Sequence, residues 1–107
     1  QKGLDISVAV YQITALLPKT EEFGLKQQMQ RAAISITSNI AEGSSRSSNK
    51  DYKRFLEYAL GSCFEIESQI LTCVQLNFVS EQKTIQLLDL LAEEMKMLHK
   101  LISIVGN

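Results

Sequence analysis

Residues 80–106, SEQKTIQLLDLLAEEMKMLHKLISIVG, decide the fold. Leu88, Leu91, Met95, Leu98, Ile102 and Val105 recur at spacings of three and four, which lines them along one side of an α-helix; a strand would scatter them over both faces. Ser80 is placed to cap this helix and Glu81 suits the positive end of its dipole, while Gly106 follows the last periodic residue. The pattern predicts a helix over 80–105. Leu90, Met97, Leu101 and Ile104 add a second seam beside the first, leaving Asp89, Glu93, Lys96 and Lys100 as the solvent face. The apolar arc then spans roughly half the circumference, against the ~100° stripe that a core-facing helix needs.

The same periodicity continues upstream. Ser48 followed by Asp51 resembles a capping box and opens a helix over 49–76, where Asn77 can take the left-handed conformation that ends it. Before it, the polar run Ser44-Ser45-Arg46-Ser47-Ser48-Asn49 competes with helical backbone bonds, and Gly43 is expected in the left-handed position that closes a helix over 23–43. Pro18, the only proline, separates that helix from a first one over 3–17. Period-two alternation and Asn-Gly or Asp-Gly hairpin signals are missing, so no strand is expected. Short links favour antiparallel neighbours, and the reading is all-α: one domain over 1–107, an antiparallel up-down-up-down four-helix bundle.

Two features imply more apolar surface than one bundle buries. On the first helix Leu4, Val8, Tyr11 and Ala15 line one side, while Ile6, Val10, Ile13 and Leu17 line nearly the opposite one. Helices three and four extend roughly 40 Å, against ~25–30 Å for the first two, and the overhang needs cover. Exposed apolar patches mark interfaces, so a homo-oligomer is expected, with Ile6, Val10, Ile13, Leu90, Met97, Leu101 and Ile104 at the contact. A wide core stripe with scattered exposed leucines is the alternative.

Composition narrows the function. Hydrophobic residues at 45% and charged residues at 21% exclude disorder, and no apolar run approaches the ~18 residues that cross a bilayer. No signal peptide is evident; the start at Gln1 suggests trimming, and the expected compartment is the cytoplasm. Cys63 and Cys73 fall ten residues apart on one helix, roughly 15 Å and beyond disulfide reach, so both are expected as reduced packing residues. With His99 the only histidine and no CxxC or HExxH spacing, neither metal nor cofactor is expected. Isolated glycines at 3, 24, 43, 61 and 106 form no phosphate-cradling loop, and no serine sits in a nucleophile elbow. No catalytic residue is assigned. Net charge is −1, with eight Lys/Arg against six Asp/Glu over residues 1–60 and three against six over 61–107. The excess of base is early and small, which argues against strong nonspecific phosphate binding.

Some polar residues occupy unexpected places. Glu67 projects among Leu56, Leu60 and Val74, where a carboxylate needs a partner, and Arg31 is the candidate. Arg31, Ser35, Ser38 and Glu42 form a polar stripe on the second helix, flanked by Asn39 and opposite Leu25, Met29, Ala33, Ile36 and Ile40. Such a cluster either lets helices approach and specifies register, or lines a binding or acid/base site. Glu94 raises the same question in the second seam of the fourth helix. Arg46, Lys50, Lys53 and Arg54 form a basic cluster that is either a solvated surface or a phosphate contact, with Lys26 and Arg31 as candidate neighbours.

Residues 31–43, RAAISITSNIAEG, resemble the signature of four-helix-bundle proteins encoded within intervening sequences of the large-subunit ribosomal RNA gene. Phe55-Leu56 and Ala59-Leu60-Gly61-Ser62, followed by Glu65, Glu67 and Gln69, resemble that family's second signature at the expected distance. Members are often labelled ribosomal proteins. The fold is also similar to the accessory protein of diversity-generating retroelements, a pentamer that engages a reverse transcriptase and nucleic acid through basic surface. The resemblance implies a pentamer here, with RNA or DNA and such an enzyme as partners. Two departures stand out: the accessory protein is markedly basic where this chain is slightly acidic, and Thr37 stands where many relatives have proline. The expected function is a non-catalytic accessory protein acting through Arg46, Lys50, Lys53 and Arg54; the alternative is a protein-interaction scaffold that does not touch nucleic acid.

Overall fold

The computed structural model describes residues 2–106. Four α-helices follow one another: α1 (Lys2–Thr14), α2 (Leu25–Ser44), α3 (Asn49–Gln75) and α4 (Glu81–Val105), with a 3₁₀ turn at Lys19–Glu21 between the first two. No strand occurs among the described residues. Each helix packs on its neighbours in sequence and α4 closes back on α1, whereas the diagonal pairs do not meet. This is a four-helix bundle. Its 43 Å long axis matches the length of α3, so the longest helix sets the length of the molecule.

Local chemistry explains most of the boundaries. Ser48 Oγ accepts the Asp51 amide at 3.1 Å and starts α3. Asn77 takes φ 61°, and the amides of Asn77 and Phe78 turn back to the carbonyls of Val74 and Cys73, a Schellman closure of the same helix. Ser80 holds the N-cap position of α4, but its hydroxyl makes no capping bond. α1 is shorter than expected: it ends at Thr14, and Ala15–Leu17 turn toward Pro18.

Gly43 departs from expectation. It lies inside α2 with ordinary helical φ, not in a left-handed cap, and it is buried. A Cβ there would stand 2.9 Å from Phe55 Cβ, 3.0 Å from Tyr52 Cδ1 and 3.3 Å from the Tyr52 carbonyl oxygen. The residue is glycine because α2 and α3 approach closely. The run of serines beyond it ends the helix.

The core is one cluster. α1 contributes Ile6, Ala9, Val10 and Ile13; α2 contributes Met29, Ala32, Ala33 and Ile36. α3 adds Leu56, Ala59, Cys63, Ile66, Ile70 and Cys73, and α4 adds Leu87, Leu91 and Leu98. Ile6, Val10 and Ile13, expected at a subunit contact, are thus core residues, and the outward side of α1 is Leu4, Val8 and Tyr11. A helix with two apolar sides buries only one of them within the bundle, and periodicity alone does not choose.

The buried seam of α4 is Thr84, Leu87, Leu91, Glu94 and Leu98. Leu91 and Leu98 of the predicted main seam lie within it, while Leu88, Met95 and Ile102 on one side and Leu90 and Leu101 on the other are half-buried against the core. The wide arc has an internal cause, because a helix at the corner of a square bundle touches two neighbours. Met97 and Ile104 stay exposed.

Candidate functional site

The basic cluster assembles at the end of the bundle where α2 turns into α3 and α4 finishes. Arg46 donates to Glu42 Oε2 at 2.7 Å, and Arg54 lies 3.5 Å from Asp51 Oδ1. Both guanidinium groups rest against the Phe55 ring, 4.8 Å and 5.2 Å from its centroid, and Tyr58 meets that ring edge-on at 5.7 Å. The stem of Lys53 runs past Gly106 at the carbonyl-rich end of α4, a favourable place for a cation. Lys50 is exposed and, among the described residues, makes no ion pair. The result is a small platform of one aromatic ring with two arginines leaning on it, and two lysines on the adjoining first turns of α3.

Lys26 and Arg31 do not join this platform. Lys26 pairs with Glu22 at 3.2 Å near the start of α2, roughly 30 Å of helix away from Arg46. Arg31 is exposed and shares a shallow depression with Gln28, Ser35 and Glu65.

The polar stripe of α2 separates into two parts. Ser35 sits in the α2–α3 crevice, where its hydroxyl meets that of Ser62, and Asn39 Nδ2 donates to the Ser35 carbonyl at 2.8 Å. Small side chains here, like the absent one at Gly43, let the two helices close. Ser38 and Glu42 face solvent. No ion pair joins Arg31 to Glu67 among the described residues. Residues two apart on a helix diverge by about 200°, so the side of α3 that shows Glu65 to Arg31 turns Glu67 away, onto the flank it shares with half-buried Leu60 and Val74.

The carboxylate that is buried is Glu94, only 2% exposed and inside the protomer, not at a subunit contact. Its Oε1 has no hydrogen-bond partner, a deficiency shared among the described residues only by Gln69 Oε1. Burial raises its pKa, with the charge of Lys2 opposing in part. The Cys63 thiol is pushed up to about 12 by burial and by the nearby Glu94 charge, which leaves it an unreactive packing group. Cys73 is also raised by burial, and its Sγ lies 3.8 Å from Met29 Sδ.

Phe55 and Glu94 are the residues that sequence reasoning misplaced. Phe55 was visible only as a signature residue next to Arg54. Glu94 falls in the series 84, 87, 91, 94, 98, whose spacing is as regular as that of the apolar seam; its charge disguised it.

These features define a class, a small four-helix bundle with a charged and aromatic platform at one end. The 23S rRNA-intervening sequence protein family model matches residues 1–100, and the chain belongs to that family. A crystal structure from Bacteroides thetaiotaomicron, described as a protein of unknown function from the S23 ribosomal protein family, superposes with a TM-score of 0.84 at 24% identity. The match covers 99% of this chain and 96% of that one, and it establishes the shared fold. No curated protein matches the chain.

Proposed function

We propose that this protein is a non-catalytic, homo-oligomeric accessory protein that contacts RNA or DNA phosphates through Arg46, Lys50, Lys53 and Arg54. The observation that carries this reading is the stacking of Arg46 and Arg54 on Phe55, with Lys50 and Lys53 on the adjoining first turns of α3. Guanidinium groups held on an aromatic ring lose little freedom when they engage a phosphate. Glu42 and Asp51 already neutralise the arginines in part, so affinity rests on a local platform and on its repetition in an oligomer, not on net charge. The stripe Leu4, Val8 and Tyr11, exposed on the outer side of α1, supports the oligomeric element, and family likeness favours a pentamer.

A salt series with fluorescent single-stranded RNA and DNA tests the reading. Affinity should fall with salt at a logarithmic slope no steeper than about −3 per protomer. The triple variant Lys50→Glu, Lys53→Glu, Arg54→Glu should lose binding while keeping its helicity. Binding that survives this charge reversal excludes the platform. The same apolar stripe favours a second reading, a scaffold that engages a protein partner such as a reverse transcriptase without nucleic acid. It predicts no binding even at low salt, together with a partner interaction lost on Val8→Glu.

A further inference from the structure

The loop between α1 and α2 presents a phenylalanine to solvent. Phe23 is 86% exposed, the most of any large apolar side chain among the described residues. Its neighbours in sequence hold it there. Glu21 Oε1 accepts the Leu25 amide at 3.4 Å and Glu22 pairs with Lys26 at 3.2 Å, so the residues before Phe23 are tied to the start of α2. A side chain presented from a fixed backbone loses less freedom when it binds. On the seam between the C-terminal half of α1 and the first turns of α4 lies a groove of about 290 Å³. Ala9, Ile13 and Leu87 form its apolar floor, and Leu16, 47% exposed, stands at its rim. Lys83 stands at the same rim, exposed and, among the described residues, without an ion pair. It lies in the first turn of α4, where the helix dipole disfavours a cation.

From this arrangement we infer that Phe23 of one copy of this chain seats in the α1–α4 groove of the next, a head-to-tail contact. This pairing rests on the homo-oligomeric element of the function proposed above and names its contact residues. A phenylalanine buries about 150–250 Å² when it leaves water, and a groove of 290 Å³ with an apolar floor has room for one ring. Charge matches as well: Glu22, beside Phe23 and half exposed, meets the unpaired Lys83 of the neighbouring copy. Within one protomer ring and groove stay apart, since Phe23 is exposed; between two copies each satisfies the other. One ring covers far less than the ~1,000 Å² that a stable interface needs. Exposed Val8 and Tyr11, which adjoin the groove through Gln12, supply further surface around that anchor. Each copy carries one ring and one groove, so such contacts join copies in series and close where the rotation permits.

The test uses the intact chain, which has no tryptophan, so Phe23→Trp places a single fluorescent reporter at the contact. Its emission should be blue-shifted where the protein sediments as an oligomer. Adding Leu16→Glu and Lys83→Glu, both at exposed positions of the groove rim, should return the emission to that of solvent-exposed tryptophan. Phe23→Ser should weaken self-association at least about tenfold with helicity unchanged. Mixing Phe23→Ser, which keeps its groove, with the Leu16→Glu, Lys83→Glu variant, which keeps its ring, should form 1:1 pairs, although neither variant assembles alone. A Phe23→Ser protein that assembles as the parent does overturns the inference and leaves the homo-oligomeric reading standing. The same holds for emission that is unchanged by the groove substitutions, and for a mixture that forms no pairs. A parent that sediments as a single chain overturns both.

Discussion

The two sides of α2 meet their neighbouring helices through different contacts. Toward α3, Ser35 and Gly43 face Ser62, Phe55 and Tyr52, and small side chains let the helices close with no room to spare. Toward α1, Gln30 Nε2 reaches Thr14 Oγ1 at 3.0 Å, and Gly3 stands where a Cβ would come within 2.5 Å of Thr37 Cγ2. The comparison teaches that contact chemistry governs how closely two helices approach: a glycine or serine admits the neighbour on either side, and a polar pair spans the seam where longer side chains meet.

Substitutions can break or sharpen this contrast. Leu91 is fully buried on α4 and sets the scale: Leu91→Ala should cost about 2–5 kcal/mol in chemical denaturation. Gly43→Ala comes next. It adds helix propensity worth about 1 kcal/mol, yet its methyl must displace Phe55 and meets the Tyr52 backbone. A net loss of about 1–3 kcal/mol is expected, and a neutral or stabilising outcome would show that the seam has slack.

At the buried acid on α4 the sign reverses. Glu94→Leu should gain about 1–3 kcal/mol at neutral pH, because it removes an unpaired buried acid. The gain depends on pH in a definite direction. Burial raises the folded-state pKa above the ordinary 4.5, so the folded protein retains a proton that the unfolded chain releases. Stability of the parent therefore falls as pH rises from the ordinary glutamate range toward the raised value, and it is flat in this term below that range. Denaturation of parent and variant from pH 4 to pH 8 should show curves that diverge upward with pH; parallel curves would mean that Glu94 is well solvated or paired.

Gly61 gives the smallest effect and the sharpest control. It is exposed on α3, and a Cβ there meets nothing within 4 Å. Gly61→Ala should stabilise by about 0.5–1 kcal/mol, the opposite sign to the same change at Gly43. If both variants shift the thermal midpoint the same way, close α2–α3 packing is not what requires glycine at 43.

Much of the fold was legible in the residues. Ser48, Asn77 and the 3-and-4 spacing on α3 and α4 are local signals, and each acts within a few residues of itself. Gly43 was misread because a glycine before a polar run has the same local signature whether it caps a helix or admits a neighbour. The basic cluster was legible as four residues close in sequence, but Phe55 at its centre was not, because nothing local distinguishes a packed aromatic from a platform. Glu94 and Glu67 were misassigned for a related reason: Glu94 is the buried acid and Glu67 lies half-buried on a flank of α3. Both interrupt apolar arcs, and only the positions of the neighbouring helices decide which arc is the inner one.

By itself the sequence determined four helices, their approximate ends, their order and the family signatures, all of which follow from backbone preference and periodicity along one chain. Tertiary structure alone decided which side of α1 faces inward, which glycines meet a neighbouring helix, and which carboxylate is stripped of water. Those outcomes depend on the angle and length at which separate helices meet, and a helical wheel carries no information about what stands beside it.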